Sequence, residues 1–458
     1  MRLMLQLFFL VFSLGIYFNA PINYSFSICL LINILFILQN LIHFTSKKFD
    51  LISFEFIFMI SFYFLNFVYP VFYYPTRMDF SVFSLSYNHA IITKATSLAL
   101  VAYSSYLLGL IVRNRRNNKR QILSEKNKYS FENLYLSYIN KSLFIISIIL
   151  LALYLLSGGH VALSSEYSGE EDVVIGIYSY YYILLNITTS ILCFFIFKET
   201  NKINQKNYIL FIFSIIILFL LLGSRTLPLT LVLSLIFAYN RYRKIPKVVF
   251  ISLLILGMLS LTFVMFARSA SYTSGDYFSQ GIENFEIINL WDLGSDLLIN
   301  NRNLYVIVDY VYKGDYTFGI TMLSGFLSPI PFLQSFIAEA FGIPKDFMST
   351  SSFVTFLELG PGSTWGLGGH VVGDVYLSFG LLGTIILFYF FGYIISMANY
   401  KSYSNIYWYI FYFVFASNSV YIGRTGLFDN MRTIIWSLLI VYFIISIKKI
   451  KKKKFNEV

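Results

Sequence analysis

The chain has 458 residues, of which 57% are hydrophobic, 20% aromatic and only 12% charged. Soluble domains are about half apolar and about a quarter charged, so this composition excludes a disordered chain, a collagen and an ordinary soluble enzyme. The net charge of +11 would suit a nucleic-acid partner. Long apolar runs recur along the whole chain, however, and they indicate a polytopic membrane protein with no nucleic-acid partner.

A helix needs about 20 mostly apolar residues to cross a bilayer. Twelve segments meet or approach this length: residues 4–20, 24–44, 51–71, 89–112, 142–157, 174–197, 208–222, 227–240, 248–267, 371–398, 405–421 and 432–447. We therefore predict an all-α integral membrane protein with about twelve transmembrane helices. Pro21 follows the long first run, so we expect this segment to be an uncleaved helix rather than a signal peptide.

The distribution of basic residues predicts the orientation of these spans. If both termini are cytoplasmic, the segments on the cytoplasmic side carry 25 of the 34 Lys and Arg residues. Cytoplasmic loops of membrane proteins are enriched in Lys and Arg. We therefore predict a multi-pass membrane protein with both termini in the cytoplasm.

The spans divide the chain into six predicted regions. These are spans one to four in 1–112, a basic cytoplasmic loop in 113–141, spans five to nine in 142–268, one large external loop in 269–370, spans ten to twelve in 371–447, and a basic tail in 448–458. The large loop is rich in aromatic and apolar residues, so we expect it to be ordered and to contain short helices. Such long loops are often functional.

Four external arginines are the first candidate functional residues. Arg225 follows a span at a tight turn, Arg268 ends the ninth span, Arg302 lies in the large loop and Arg424 lies in the last external turn. The planar guanidinium binds phosphate oxygens in a fork geometry. This set predicts a substrate that carries phosphate or pyrophosphate. The alternative is that these side chains only reach toward lipid headgroups.

His370 is the histidine with the strongest functional signal. It follows the glycine-rich stretch 360–369 and opens the tenth span. If the helix begins here, Asp374 lies one turn later on the same face, where a carboxylate would raise the basicity of the imidazole. The pair predicts a general base for an acceptor hydroxyl. The alternative is a histidine at a helix start beside a solvated aspartate.

Motifs for nucleotides and metals are absent from the sequence. There is no Walker motif, no dinucleotide fingerprint, no HExxH and no paired aspartates for a metal. We therefore expect no cofactor and no metal, and a substrate that brings its own leaving group.

Three features together resemble the bacterial O-antigen polymerases, the membrane glycosyltransferases that join oligosaccharide repeat units. They are the twelve spans with one large external loop late in the chain, the turn Gly223-Ser224-Arg225 directly after a span, and the segment from His370 to Gly383. That segment reads HVVGDVYLSFGLLG and is similar to the histidine-led helix start of the related O-antigen ligases. Some polymerases carry an external arginine followed by ten residues and a glycine; here Gly314 stands one position late after Arg302.

The resemblance implies a glycosyltransferase-C-like fold and a metal-independent, inverting transfer. It also implies a location in the bacterial inner membrane, where the large external loop 269–370 would be periplasmic. The donor would be a glycan on undecaprenyl pyrophosphate, and the acceptor would be the non-reducing sugar of a new lipid-linked repeat unit. A protein that regulates chain length is a further partner consistent with this family.

The resemblance also implies roles for individual residues. In this reading Arg225, Arg268 and Arg424 bind the donor pyrophosphate, and Arg302 binds phosphate or sugar. His370 removes the acceptor proton, with Asp374 as its partner. Glu358, near the glycine-rich stretch, is a second candidate base and a further ligand for phosphate or sugar.

Two other functions remain open at this point. An O-antigen ligase, which transfers finished polymer to a lipid core, would use the same histidine and arginines. A lipid-linked oligosaccharide flippase or other transporter would usually have paired repeats and a binding site near the bilayer midplane. The sequence has no similarity between its halves, and its polar residues collect at the predicted outer face.

Overall fold

The structure is a computed structural model. It describes residues 2–45, 50–76, 87–121, 133–159, 161, 177–222, 224–270, 298–363 and 366–456, and it describes the side chains of these residues except those of 116–121, 133–135, 258, 261–270 and 451–456.

Every regular element in this part of the chain is helical. The α-helices are α1 (Arg2–Asn19), α2 (Phe26–Thr45), α3 (Phe54–Tyr63), α4 (Ile92–Gln121), α5 (Asn133–Leu156), α6 (Ile177–Phe195), α7 (Lys202–Leu221), α8 (Thr226–Tyr242), α9 (Lys247–Ala270), α10 (Asn301–Lys313), α11 (Leu323–Leu327), α12 (Leu333–Phe341), α13 (Thr350–Leu359), α14 (Val371–Lys401), α15 (Ile406–Ser417) and α16 (Met431–Asn456). The predicted all-α class is confirmed for these residues.

Nine helices of the described chain are long and apolar enough to cross a membrane. They are α1, α2, α3 with its continuation to Tyr73, α4, α5, α6, α7, α14 and α16. The other three predicted spans are also helices, but α8 has 17 residues, α15 has 12, and α9 is described with side chains only in part. Nine of the predicted twelve spans therefore meet the length and hydropathy expected of a bilayer-crossing helix.

The chain folds into two compact units. The first contains residues 1–127, 294–403 and 419–432, and the second contains 128–293, 404–418 and 433–458. Both units are assembled from segments that are far apart in the sequence: α10 to α14 belong with α1 to α4, and α15 and most of α16 belong with α5 to α9.

In the first unit α4 and α14 pack with their backbones in close approach. A Cβ atom on Gly109 of α4 would lie 2.0 Å from the carbonyl oxygen of Tyr389, and one on Gly392 of α14 would lie 2.1 Å from that of Tyr106. Small residues allow this kind of close helix packing in membranes. Any larger residue at either glycine would push the two helices apart.

Two local irregularities shape the membrane helices of this unit. After Tyr63, α3 continues to Tyr73 with wider turns around Pro70, and the N–H of Tyr74 donates to the carbonyl of Tyr69 at 2.9 Å. Proline lacks the N–H that a regular helix needs, so a wider turn is the local solution. In α14, Gly380 interrupts the helix with a φ of 63°, a conformation that favours glycine.

The second unit pairs α5 with α6 and α7 with α8. Ser147 of α5 donates to Thr188 of α6 at 3.0 Å, and such hydrogen bonds hold helices together in lipid. The predicted tight turn between the spans at 208–222 and 227–240 is present, because α7 ends at Leu221 and α8 begins at Thr226. Gly223 of that turn lies outside the described residues.

Four helices, α10 to α13, occupy the described part of the predicted large loop. The residues of α10 from Asn301 to Val308 are buried, so this helix is part of the core of the first unit. The start of α14 packs on it directly: a Cβ on Gly373 would lie 2.5 Å from the Cδ1 of Ile307. The loop segment thereby becomes the scaffold that positions the residues after 360.

Candidate functional site

Five of the seven residues that the sequence singled out belong to the first unit: Arg302, Glu358, His370, Asp374 and Arg424. They lie at the start of α10, the end of α13, the start of α14 and the turn before α16. Hydrogen bonds connect these four pieces of chain into one cluster.

Arg302 and Glu358 form an ion pair between their Nη2 and Oε2 atoms. The side chain of Arg302 is only 3% exposed and that of Glu358 is 18% exposed. Arg302 lies in the first turn of α10, where the helix dipole disfavours a cation, and a buried cation also requires a partner. The negative charge of Glu358 offsets the unfavourable helix dipole and pairs with the buried cation. Glu358 is therefore a structural counter-ion as well as a candidate for chemistry.

The glycine-rich stretch is held between α10 and the turn that carries Arg424. Asn303 donates through Nδ2 to the carbonyls of Leu367 (2.8 Å) and Gly368 (3.0 Å), and the N–H of Gly369 donates to the carbonyl of Arg424 at 3.1 Å. Gly368 has a φ of +79°, which favours glycine. These bonds fix the approach of the chain to His370.

Arg424 is anchored to α10 as well. The amide of Asn300 is oriented so that its oxygen faces the guanidinium and accepts from Nη2 at 2.9 Å and from Nε. The NH₂ group of Asn300 then donates to the carbonyl of Leu367 at 3.3 Å. The guanidinium of Arg424 is therefore held in a fixed position beside α10. A side chain that binds phosphate needs such a fixed position.

His370 caps the N-terminus of α14. Its Nδ1 accepts from the N–H of Gly373 at 3.3 Å, so the neutral ring carries its proton on Nε2. The residue is fully buried, and its Nε2 atom has no hydrogen-bond partner among the described residues. Burial lowers the pKa of His370 to about 3. These features make it a poor base in this conformation.

Asp374, which the sequence spacing places one turn after His370 as its possible partner, is hydrogen-bonded to other residues. One carboxylate oxygen accepts from the hydroxyl of Thr350 and the other from the N–H of Leu427 at 2.9 Å. The imidazole is turned onto the first turn of its own helix because His370 has an extended, capping backbone. Asp374 therefore ties α14 to α13 and to the turn at 424–427, and the two side chains serve different partners.

Glu358 is the candidate base with access to open space. It lies on the wall of a groove of about 490 Å³ that also contains Asp309 and Tyr310 of α10. Only its Oε2 atom is used by Arg302. Of the two bases left open by the sequence, the geometry favours Glu358 over His370.

Arg225 and Arg268 belong to the second unit. Arg225 directly precedes α8, and the preceding residue, Ser224, is hydrogen-bonded through its hydroxyl to Tyr182 at 3.2 Å. Arg268 lies near the end of α9, and its side chain is outside the described residues.

Sequence reasoning missed the polar residues that organise the cluster. Asn300, Asn303 and Thr350 are buried and bind the glycine-rich stretch, Arg424 and Asp374. The only signal was the polar run of residues 300–303 ahead of a strongly amphipathic helix. Such a run is more often a solvated helix start, so only the tertiary fold identifies it.

Comparison with known proteins identifies the family. A sequence model described as O-antigen polysaccharide polymerase Wzy matches residues 3–454. A search of curated proteins and a search of solved structures each return no significant match. The family match covers nearly the whole chain and favours a polymerase over the ligase and the flippase. The chain belongs to the O-antigen polysaccharide polymerase Wzy family and is a multi-pass membrane polysaccharide polymerase.

Proposed function

We propose that this polymerase joins oligosaccharide repeat units carried on undecaprenyl pyrophosphate, by an inverting and metal-independent transfer at the periplasmic face of the inner membrane. Both termini are then cytoplasmic, and the helices α10 to α13 face the periplasm. The basic residues on the opposite side support this orientation. A glycosyltransferase-C-like arrangement is part of the same proposal and rests on the family resemblance.

The observation that carries the proposal is the position of Glu358. It is a carboxylate held by the buried Arg302 at the edge of a groove, in the segment predicted to be external. One oxygen is fixed by the guanidinium and the other is oriented by that bond. A general base needs this combination of fixed position and access to the proton it removes.

The reaction then proceeds in one displacement at the anomeric carbon of the donor. Glu358 accepts the proton of an acceptor hydroxyl, and the hydroxyl oxygen forms a bond to that carbon from the face opposite the pyrophosphate. The bond between the carbon and the phosphate oxygen breaks, and undecaprenyl pyrophosphate leaves with the electron pair. The anomeric configuration is inverted.

Charge develops on the leaving pyrophosphate, and fixed cations would stabilise it. Arg424 is anchored by Asn300 on the same cluster as Glu358, which supports a role in binding phosphate. For Arg225 and Arg268 the same role rests on residue type and predicted external position. His370 and Asp374 are proposed to position the start of α14 and the glycine-rich stretch.

A lipopolysaccharide gel from a strain that lacks this chain tests the function in the cell. We expect the ladder of long chains to disappear while a band of lipid core plus one repeat unit remains, because export and ligation still operate. Loss of all surface repeat units would contradict the proposal and point to export or ligation. Restoration of the ladder by the wild-type chain is the control.

A further inference from the structure

The groove beside Glu358 contains residues that the sequence did not single out. Its volume of about 490 Å³ lies within the range of about 300–1,000 Å³ typical of small-molecule sites. Its walls come from residues 87–88 ahead of α4, from Val306, Asp309 and Tyr310 on α10, and from the last turn of α13. All of these belong to the first unit.

Asp309 is held in place on the groove wall by two donors. The Nδ2 atom of Asn88 donates to its Oδ1 at 2.6 Å, and the Nζ atom of Lys313 donates to its Oδ2 at 2.5 Å. A carboxylate oxygen can accept a second hydrogen bond. The side chain is 19% exposed, so a hydroxyl group in the groove can reach these oxygens.

Glu358 provides a second set of acceptors on the same groove. Its Oε2 atom binds Arg302, and its Oε1 atom has no hydrogen-bond partner among the residues that the structure describes. Asp309 and Glu358 therefore present acceptor atoms in fixed positions and suit a ligand that brings donors. Sugar hydroxyls are such donors.

Aromatic rings of fixed orientation complete the groove. Tyr310 packs edge-on against Phe353 with ring centroids 5.0 Å apart, and Tyr87 stacks on Tyr305 at 5.4 Å. A pyranose has an apolar C–H face and a rim of hydroxyls. Rigid rings next to a few placed polar groups are the usual composition of a site for such a ligand.

We propose that this groove is the acceptor subsite and that it binds an uncharged terminal sugar, whose hydroxyls donate to Asp309 and Glu358. The inference rests on the proposed function. Glu358 is paired with Arg302 and Asp309 with Lys313, so the charges of these groove residues are balanced and neither cation is left unpaired for a sugar carboxylate. Burying such a carboxylate without a counter-ion would cost solvation free energy. Asp309 binds the acceptor, Asn88 holds Asp309 in position, and the donor makes no contact with either residue.

A single-transfer assay separates the two substrates. The acceptor probe is the methyl glycoside of the repeat unit that accumulates in the deletion strain, which cannot act as a donor. The donor probe is the same unit on undecaprenyl pyrophosphate with its terminal hydroxyls methylated, so that it cannot accept. The full-length chain in lipid nanodiscs then forms one dimer per donor, and the KM of each probe is measured separately.

We expect Asp309→Asn and Asn88→Ala to raise the KM for the acceptor about tenfold, as loss of a hydrogen bond to a charged group predicts. The KM for the donor should not change. Glu339→Gln, which removes an exposed acid on α12, is the matched control and should change neither value. Size-exclusion profiles of all variants establish that they are folded.

An unchanged acceptor KM in both variants, or an equal rise in the KM of the donor, would overturn the assignment of the groove. The charge preference is tested with the acceptor oxidised to a uronic acid at its terminal sugar, which should react much more slowly. Equal reaction of the oxidised acceptor, or a natural repeat unit that ends in an acidic sugar, would overturn that preference. If the wild-type chain forms no dimer at all, the proposed function itself has failed.

Discussion

Arg302 and Glu358 form an ion pair that joins the first turn of α10 to the last turn of α13, with the arginine side chain only 3% exposed. The pair gives Glu358 two roles. It neutralises a buried cation, and it is the carboxylate that reaches the groove.

Removing one member of the pair should destabilise the protein more than removing both. Glu358→Gln leaves the buried Arg302 without a counter-ion, which should cost about 3 kcal/mol. In the double variant Arg302→Met, Glu358→Gln the buried charge is gone, and much of this loss should be recovered. The single variant Arg302→Met completes the set, and thermal unfolding in detergent measures all three variants as a double-mutant cycle. Additive losses would contradict a direct interaction.

The stable double variant should nevertheless be inactive. If Glu358 is the general base, Glu358→Gln should lower the transfer rate by about 10²–10⁴-fold, whether or not Arg302 is present. His370→Asn keeps an oxygen that can cap α14 and should retain much more activity. The single-transfer assay at saturating substrate measures both. A larger loss in His370→Asn than in Glu358→Gln would return the base role to His370.

Stability should depend on pH through His370. Burial lowers the pKa of this residue in the folded protein to about 3, from an ordinary value of 6.5. Between these values the unfolded chain binds a proton that the folded protein does not, so stability is lost as the pH falls below 6.5, by about 1.4 kcal/mol per pH unit.

The test measures the free energy of unfolding at pH 7.5 and pH 5 for the wild type and His370→Asn. Between these pH values the free energy of unfolding of the wild type should fall by about 2 kcal/mol more than that of the variant. All other titrating groups are common to the two proteins and cancel in the difference. Identical pH dependence would show that His370 becomes protonated in the folded state.

The proposed topology predicts which residues can be labelled from outside. Both cysteines, Cys29 and Cys193, are buried, so the background with an impermeant maleimide should be low. A cysteine at the exposed position of Asp315 should react in cells with a permeabilised outer membrane. One at the exposed position of Ser404 should react only after the inner membrane is opened. The reverse pattern would contradict cytoplasmic termini.

The sequence predicted the helices well because apolar runs and their lengths depend on local composition. The turn around Arg225, between two short spans, followed from the basic segments on either side. The number of spans follows less directly from composition, since α15 has only 12 residues although the apolar run extends over 405–421. Hydropathy does not record where a helix ends inside such a run.

The sequence predicted which charged residues belong to the candidate site, but it predicted their contacts only in part. Spacing places His370 and Asp374 one turn apart, but it does not show that the histidine becomes the N-cap or that Asp374 turns toward Thr350 and Leu427. Those partners are 24 and 53 residues away from Asp374. The pairing of Arg302 with Glu358 is likewise a product of the fold. Long-range contacts of this kind leave no periodic signal in a single sequence.

The measurement that tests the central claim most directly is polymerisation by the purified chain in nanodiscs. The substrate is the repeat unit on undecaprenyl pyrophosphate, the buffer contains EDTA, and the new linkage is analysed by NMR. We predict a ladder of lipid-linked oligomers whose new glycosidic bonds have the anomeric configuration opposite to that of the donor. Retained configuration, or a ladder that appears only when a divalent cation is added, would contradict the account.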